Sequence, residues 1–188
     1  MIRTFIAVNV SDATRRIIDT LQMIFGHERK LIRFAPPENV HVTLKFLGDV
    51  DHEIVPELIS KIETSIRSFQ KFVYICAGTG VFPHVRRSRV LWLGITQGSE
   101  ILSNLSKTLD ESLKTMPIKL EEREFKAHIT LGRIKETRRP LAELNQFLKF
   151  PFEPIHNPVE EVILFQSTLT PNGAIYTPLH NFPLIDKE

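Results

Sequence analysis

The sequence predicts a two-lobed chain of mixed helices and strands whose halves are related by an approximate twofold. Three observations carry that expectation. The order strand, helix, strand, helix, strand can be traced twice along the 188 residues. His-x-Thr-Leu is written into the middle strand of each pass, at His41 in "HVTLKFLG" and at His128 in "HITLGR". No low-complexity segment and no long linker interrupts the chain, so residues 1–188 read as one domain with two lobes.

The elements follow in order. Residues 2–8 are apolar between polar neighbours, a core strand. Ser11 or Asp12 then caps a helix whose Ile17, Ile18, Leu21, Ile24 and Phe25 share one face, with Gly26 as a stop. After the turn signal "APPEN" comes the His41 strand. Past Gly48 a second helix, over residues 53–69, turns Val55, Leu58, Ile59, Ile62 and Ile66 inward, and Pro56 stands in its first turns, where a missing amide is tolerated. "FVYICAG" is a strand, and "PHVRRS" is a loop or hairpin tip leading to a strand at residues 90–95. The second pass runs through that strand and a helix over residues 99–115, with Leu102, Leu105, Leu109 and Leu113 inward. It continues with the His128 strand, a helix opened by Pro140 with Leu141, Leu144 and Leu148 inward, and a closing strand "VEEVILFQS". In the tail, Pro171-Asn172-Gly173 marks a hairpin turn between the last two strands.

Composition narrows the function classes. With 42% hydrophobic and 24% charged residues the chain can build an ordinary globular core. A net charge of +2 permits an anionic ligand but falls short of a protein that coats nucleic acid. Cys76 is the single cysteine, which excludes an intrachain disulfide and a cysteine-rich zinc site. "MIRTFIAVNV" lacks the long apolar core and cleavage site of a signal peptide, and no window approaches the roughly 18 to 20 apolar residues of a membrane helix. A soluble, cytoplasmic protein with no membrane contact is the expectation.

Alternate side chains of a strand share a face, so His41 lies beside Thr43, and His128 beside Thr130, over walls of apolar residues. If a twofold relates the halves, the two His-Thr pairs face one cleft. Two imidazoles on one ligand are what acid-base cleavage of a phosphodiester needs: one takes a proton from the attacking oxygen and the other returns one to the leaving oxygen. Threonine hydroxyls can donate to the non-bridging oxygens. No metal or cofactor is required, and neither motif has a third ligand that would complete a metal set. A bell-shaped pH-rate profile with both limbs near neutrality follows. His27, His52, His84, His156 and His180 fall in caps, loops or turn-flanking segments and are expected at the surface.

These two motifs, with "RFAPPEN" before the first, "RVLWLG" between them and "LFQSTLTPNGAIYT" after the second, resemble the two-histidine phosphoesterase superfamily. Within it the likeness is to the RNA 2',3'-cyclic phosphodiesterases, historically called 2'-5' RNA ligases, and it runs over nearly the whole chain. The resemblance implies a bilobal α+β fold, with helices outside and two antiparallel sheets lining a central cleft. It implies hydrolysis of RNA 2',3'-cyclic phosphate ends to 2'-phosphomonoesters, with His41 as general acid toward O3', His128 as general base toward water, and Thr43 and Thr130 on the phosphate. Reversible 2'-5' joining of RNA ends would be the same step run backwards. The partner is an RNA end or nucleotide carrying a cyclic phosphate; no obligate protein partner is implied, and a monomer is expected.

Arg133 is a further phosphate ligand on this reading, although strict alternation points it away from His128 unless a bulge at Gly132 turns it back. Lys45 shares the His41 face by the same alternation, and reads as a solvated strand end. "PHVRRSR" and "KETRRP" offer positive charge to flanking RNA phosphates, and Phe34 or Phe82 could stack a base. Two other classes fit the residues. One is a module that grips an RNA end or nucleotide without turnover, against which the use of histidine rather than arginine argues. The other is a phosphodiesterase of small cyclic nucleotides or 2'-5' linked oligonucleotides.

Overall fold

The structure, a computed structural model, describes residues 1–26, 31–118, 124–135, 143–171 and 173–186. Pro140 and Leu141 of the fourth predicted helix, His27, Asn172 of the predicted turn and residues 136–140 of "KETRRP" lie outside the described residues.

Among the described residues nine strands form two antiparallel sheets, as the α+β expectation requires. The first sheet has the order β3 (His41–Val50), β1 (Ile2–Asn9), β8 (Glu161–Thr170), β9 (Gly173–Pro183). The second has the order β2 (Ile32–Phe34), β6 (His128–Ile134), β5 (Val90–Gln97), β4 (Phe72–Phe82), β7 (Ile155–Val159). The first pass of the sequence contributes β1, β3 and β4, and the second contributes β5, β6 and β8. The two orders then correspond, β3-β1-β8 against β6-β5-β4, with the third strand of each half exchanged into the other half's sheet.

The helices are α1 (Asp12–Ile24), α2 (Val55–Ile66), α3 (Ser99–Leu113) and the short α4 (Leu144–Leu148). Ser11 caps α1 by accepting from the Thr14 amide at 3.3 Å. The buried Asn157 of β7 holds the same turn, its Oδ1 accepting from the Ser11 amide and the Thr14 hydroxyl, each at 2.8 Å. Leu102, Leu105, Leu109 and Leu113 of α3 are fully buried, as their spacing predicts. One hydrophobic cluster runs through both sheets and includes Ile6, Val42, Leu58, Leu93, Ile129 and Leu164.

The predicted strand "VEEVILFQS" is in fact two. Its Val159 ends β7 in the second sheet, while Glu161 starts β8 in the first. Val159 and Val162 are buried on either side of Glu160 and Glu161, and those two glutamates mark the point where the chain changes sheets. Among the described residues no helix is long and apolar enough to cross a membrane.

Candidate active site

β3 and β6, the two strands that carry the motifs, pack against each other across the sheets. Val42 and Leu44, Ile129 and Leu131 are buried, while His41, Thr43, His128 and Thr130 are each half-buried on the opposite face. For four residues the alternation holds.

Then it breaks, in the same place in both strands. Against β1, Ala7 pairs with Thr43 but Ile6 pairs with Lys45, so Leu44 is an extra residue. Against β5, Trp92 pairs with Thr130 but Leu91 pairs with Gly132, so Leu131 is extra. The leucine of each His-x-Thr-Leu is thus a β-bulge, and a bulge reverses the faces of everything after it. Phe46 arrives on the His41 face, its ring 6.0 Å from that of Phe5, and Arg133 arrives on the His128 face. The bulge that returns Arg133 sits at Leu131, one residue before Gly132. Gly132 has another reason to be glycine: a Cβ there would lie 3.0 Å from the Arg33 carbonyl oxygen and 3.1 Å from the Phe34 Cα of β2.

The same reversal corrects the expectation for Lys45. It points into the core, 6% exposed, with its ammonium paired to the Asp110 carboxylate of α3. Ser106 of α3 donates its hydroxyl to the Leu44 carbonyl at 2.9 Å, at the residue the bulge leaves unmatched.

A carbonyl can only accept, so the bonds at Nδ1 fix both tautomers. His41 donates Nδ1–H to the Asn39 carbonyl at 2.7 Å, and His128 donates Nδ1–H to the Lys126 carbonyl at 2.6 Å. Each neutral ring therefore keeps its basic lone pair on Nε2, and the Thr43 hydroxyl donates to that of His41 at 2.9 Å. Desolvation pulls His41 down to about 4, aided by the positive charges of Arg15 and His128 and opposed by the Asn39 bond. Desolvation also lowers His128, with Arg133 adding to the shift and the Lys126 bond opposing it. A positive charge on His128 thus bears on His41.

Aromatic rings surround the pair. Phe5 stacks on His41 at 4.7 Å and Tyr176 meets it edge-on at 5.4 Å. Phe82 lies edge-on to His128 at 5.0 Å and against Trp92 at 5.2 Å. Phe34, opposite Gly132, has no ring contact with either histidine among the described residues. Burial raises the Tyr176 hydroxyl, while Arg133 and Arg3 pull it back, so the Arg133 charge acts on groups of both sheets.

Several of these groups were not singled out by the motifs: Tyr176, Phe5, Phe46, Arg15, whose guanidinium donates to the Pro37 carbonyl at 2.8 Å, and the Asn39 carbonyl. The one signal available in the sequence was that Phe46 and Arg133 stand at the same distance after their histidines. "PHVRRSR" forms an exposed turn that begins just after Phe82, and His52, His84 and His156 are exposed; His180 is half-buried against Phe182, at 4.6 Å. Among the described residues no group of three or more His, Cys, Asp or Glu could hold a metal ion.

Comparison with known proteins agrees with the internal repeat. A family model described as "LigT like Phosphoesterase" matches twice, over residues 8–92 and 93–176. A protein of Methanothermobacter thermautotrophicus named RNA 2',3'-cyclic phosphodiesterase is 35% identical, over 97% of this chain and 99% of its own. A crystal structure from Thermus thermophilus superposes with a TM-score of 0.81 at 26% identity, covering 99% of this chain and 100% of that one. Escherichia coli LigT complexed with 3'-AMP superposes with a TM-score of 0.77 at 26% identity, covering 97% and 98%.

Proposed function

The chain belongs to the LigT-like phosphoesterases, and from that membership we propose that it hydrolyses RNA 2',3'-cyclic phosphate ends to 2'-phosphomonoesters by paired-histidine acid-base catalysis, without a metal. The observation that carries the proposal is the matched pair of imidazoles, each locked by the backbone carbonyl two residues before it so that Nε2 is the basic nitrogen.

His128 Nε2 takes a proton from water, the hydroxide attacks phosphorus, the P–O3' bond breaks, and His41 Nε2–H gives its proton to O3'. Each positioned group contributes roughly 10²- to 10⁴-fold. In the free protein Thr43 donates to His41 Nε2. Once His41 is protonated that bond reverses, and the freed hydroxyl proton can turn to a non-bridging phosphate oxygen, which Thr130 and Arg133 also hold. Burial disfavours the imidazolium the acid needs. The anionic phosphate supplies the missing countercharge, so His41 is armed by substrate. Run backwards, the same groups would join RNA ends through a 2'-5' bond.

The test is a short RNA ending in a 2',3'-cyclic phosphate, incubated in excess chelator with wild type, His41→Ala and His128→Ala, and the product phosphate identified. A 2'-phosphate that forms in chelator and is lost in both variants supports the proposal. Tight binding without turnover would place the protein among modules that only grip an end, and loss of activity in chelator would overturn the metal-free step.

A further inference from the structure

The last two strands do not stay with their sheet. Strand β8 pairs with β1 only from Ile163 to Gln166; beyond that, among the described residues, β8 and β9 pair with each other alone, out to Thr170 and Gly173. A two-stranded ribbon of this kind is marginal in water. Burial does little for it, since Leu169 is 70% and Ile175 is 56% exposed. Carried straight on, the register would set Ala174, the partner of Leu169, beyond the start of β1, whereas Asn39 lies past the far end, two residues before the His41 that pairs with Asn9. Yet Asn39 Nδ2 donates to the Ala174 carbonyl at 2.7 Å. The ribbon therefore curls back across the cleft face of its own sheet, and it brings the Tyr176 ring to 4.9 Å from Phe5 and 5.4 Å from His41. Asn39 acts at two ends. Its backbone carbonyl accepts Nδ1–H of His41 at 2.7 Å while its side chain holds the ribbon. It is itself fixed, since its amide donates to the Pro36 carbonyl at 2.8 Å and Arg15 of α1 donates to the Pro37 carbonyl at 2.8 Å.

Resting on the phosphodiesterase reading, we propose that Asn39 is a positioning residue of the reaction: its carboxamide latches the β8–β9 ribbon down over the imidazole that its own carbonyl orients. Latched, the ribbon keeps Tyr176 against His41 and water off that ring, so one residue sets both the direction of the imidazole and its cover. The Arg133 charge of the second sheet acts on the Tyr176 hydroxyl, so the ribbon reaches toward the opposite wall of the cleft. Shutting water out strengthens the charge interactions around a transferring proton. Released, the ribbon carries Tyr176 away and leaves His41 oriented but wet. A single neutral hydrogen bond is weak enough to open and strong enough to bias the closed position.

The test uses Asn39→Ala and Asn39→Asp, both of which keep the backbone carbonyl on His41. Alanine lacks the donor, while aspartate keeps the shape but sets a carboxylate against the Ala174 carbonyl. A side chain that only fills space or closes its turn is replaced better by aspartate than by alanine; for a latch the order is wild type, alanine, aspartate. Amide hydrogen exchange reads the ribbon. Residues 167–170 and 173–176 should exchange roughly 2- to 12-fold faster in Asn39→Ala and faster again in Asn39→Asp, with β1 and β5 unchanged. Carbethoxylation by diethyl pyrocarbonate, mapped by mass spectrometry, reads the cover: His41 should react faster by a similar factor while His128 keeps its rate. For a short RNA ending in a 2',3'-cyclic phosphate, kcat/KM should fall by the same factor in Asn39→Ala. Aspartate holding the ribbon as well as asparagine, His41 reacting no faster once the ribbon is loose, or an unchanged kcat/KM in Asn39→Ala would each overturn the proposal. Exchange and carbethoxylation need no turnover, so a wild type that leaves the RNA intact overturns the phosphodiesterase reading and leaves the latch standing.

Discussion

His41→Asn should cost the protein its activity and flatten its response to acid. Burial lowers the folded-state pKa of His41 from 6.5 to about 4. The unfolded chain binds the proton at the ordinary pKa, so between those values the unfolded state holds more protons than the folded one, and stability falls as pH falls. The contribution is complete above pH 6.5, declines through pH 5, and levels off below about 4. At 1.36 kcal/mol per unit the whole swing is about 3 kcal/mol, a ceiling because the ring keeps some contact with solvent. Asparagine cannot titrate and removes this component, while every other titrating group is shared and cancels in the comparison. Urea unfolding of both proteins at pH 7.5, 6, 5 and 4 measures it. The curve of the variant should be shallower, with the gap closing toward acid by up to about 3 kcal/mol. Parallel curves would refute the claim that desolvation dominates the environment of His41.

Three further outcomes follow from the site. Because both histidines are lowered in the empty cleft, the pH profile of kcat/KM should be a bell on the acid side of neutrality, not centred on it; in kcat both limbs should move up, since bound phosphate favours each imidazolium. Arg133→Ala should lower kcat/KM roughly 10- to 150-fold, the range for a hydrogen bond to a charged group, with Arg133→Lys recovering only part because it cannot pair bidentately. Asp110→Ala should destabilise the fold by about 1 to 3 kcal/mol by removing a carboxylate partner of the buried Lys45 ammonium, whereas Lys45→Met with Asp110→Leu should recover most of that loss; thermal or urea unfolding would show both.

The motif pair was legible because it depends only on short-range geometry. A strand's period of two holds through His41-Val42-Thr43-Leu44, and two copies in matching contexts make chance a poor explanation. The face of Lys45, Phe46 and Arg133 was not legible, because it turns on which residue β1 and β5 skip when they pair, and nothing in "LKF" or "LGR" marks the skipped leucine. The bulge at Leu44 is met by Ser106 and Asp110, side chains some sixty residues away in sequence that no local reading connects to it. Helix α3 was read nearly to the residue, since its four leucines need only a buried side. Likewise the break at Glu160 depends on where a strand finds a partner, not on its own hydrophobicity.

The exchange of third strands means that neither half of this chain owns a sheet. Severed from its twin, the first half would leave β1 with a bare edge where β8 belongs, and the second would leave β5 bare where β4 belongs, each an invitation to wrong pairing. The two motif strands and the rings around them come together only when segments more than a hundred residues apart in sequence, such as Phe5 and Phe165, have closed on each other. Topology of that kind is slow to form, because loop entropy is spent before the contacts that repay it. Turnover is therefore a late property of folding: an intermediate with either motif strand in place but the crossing unfinished has histidines and no active site.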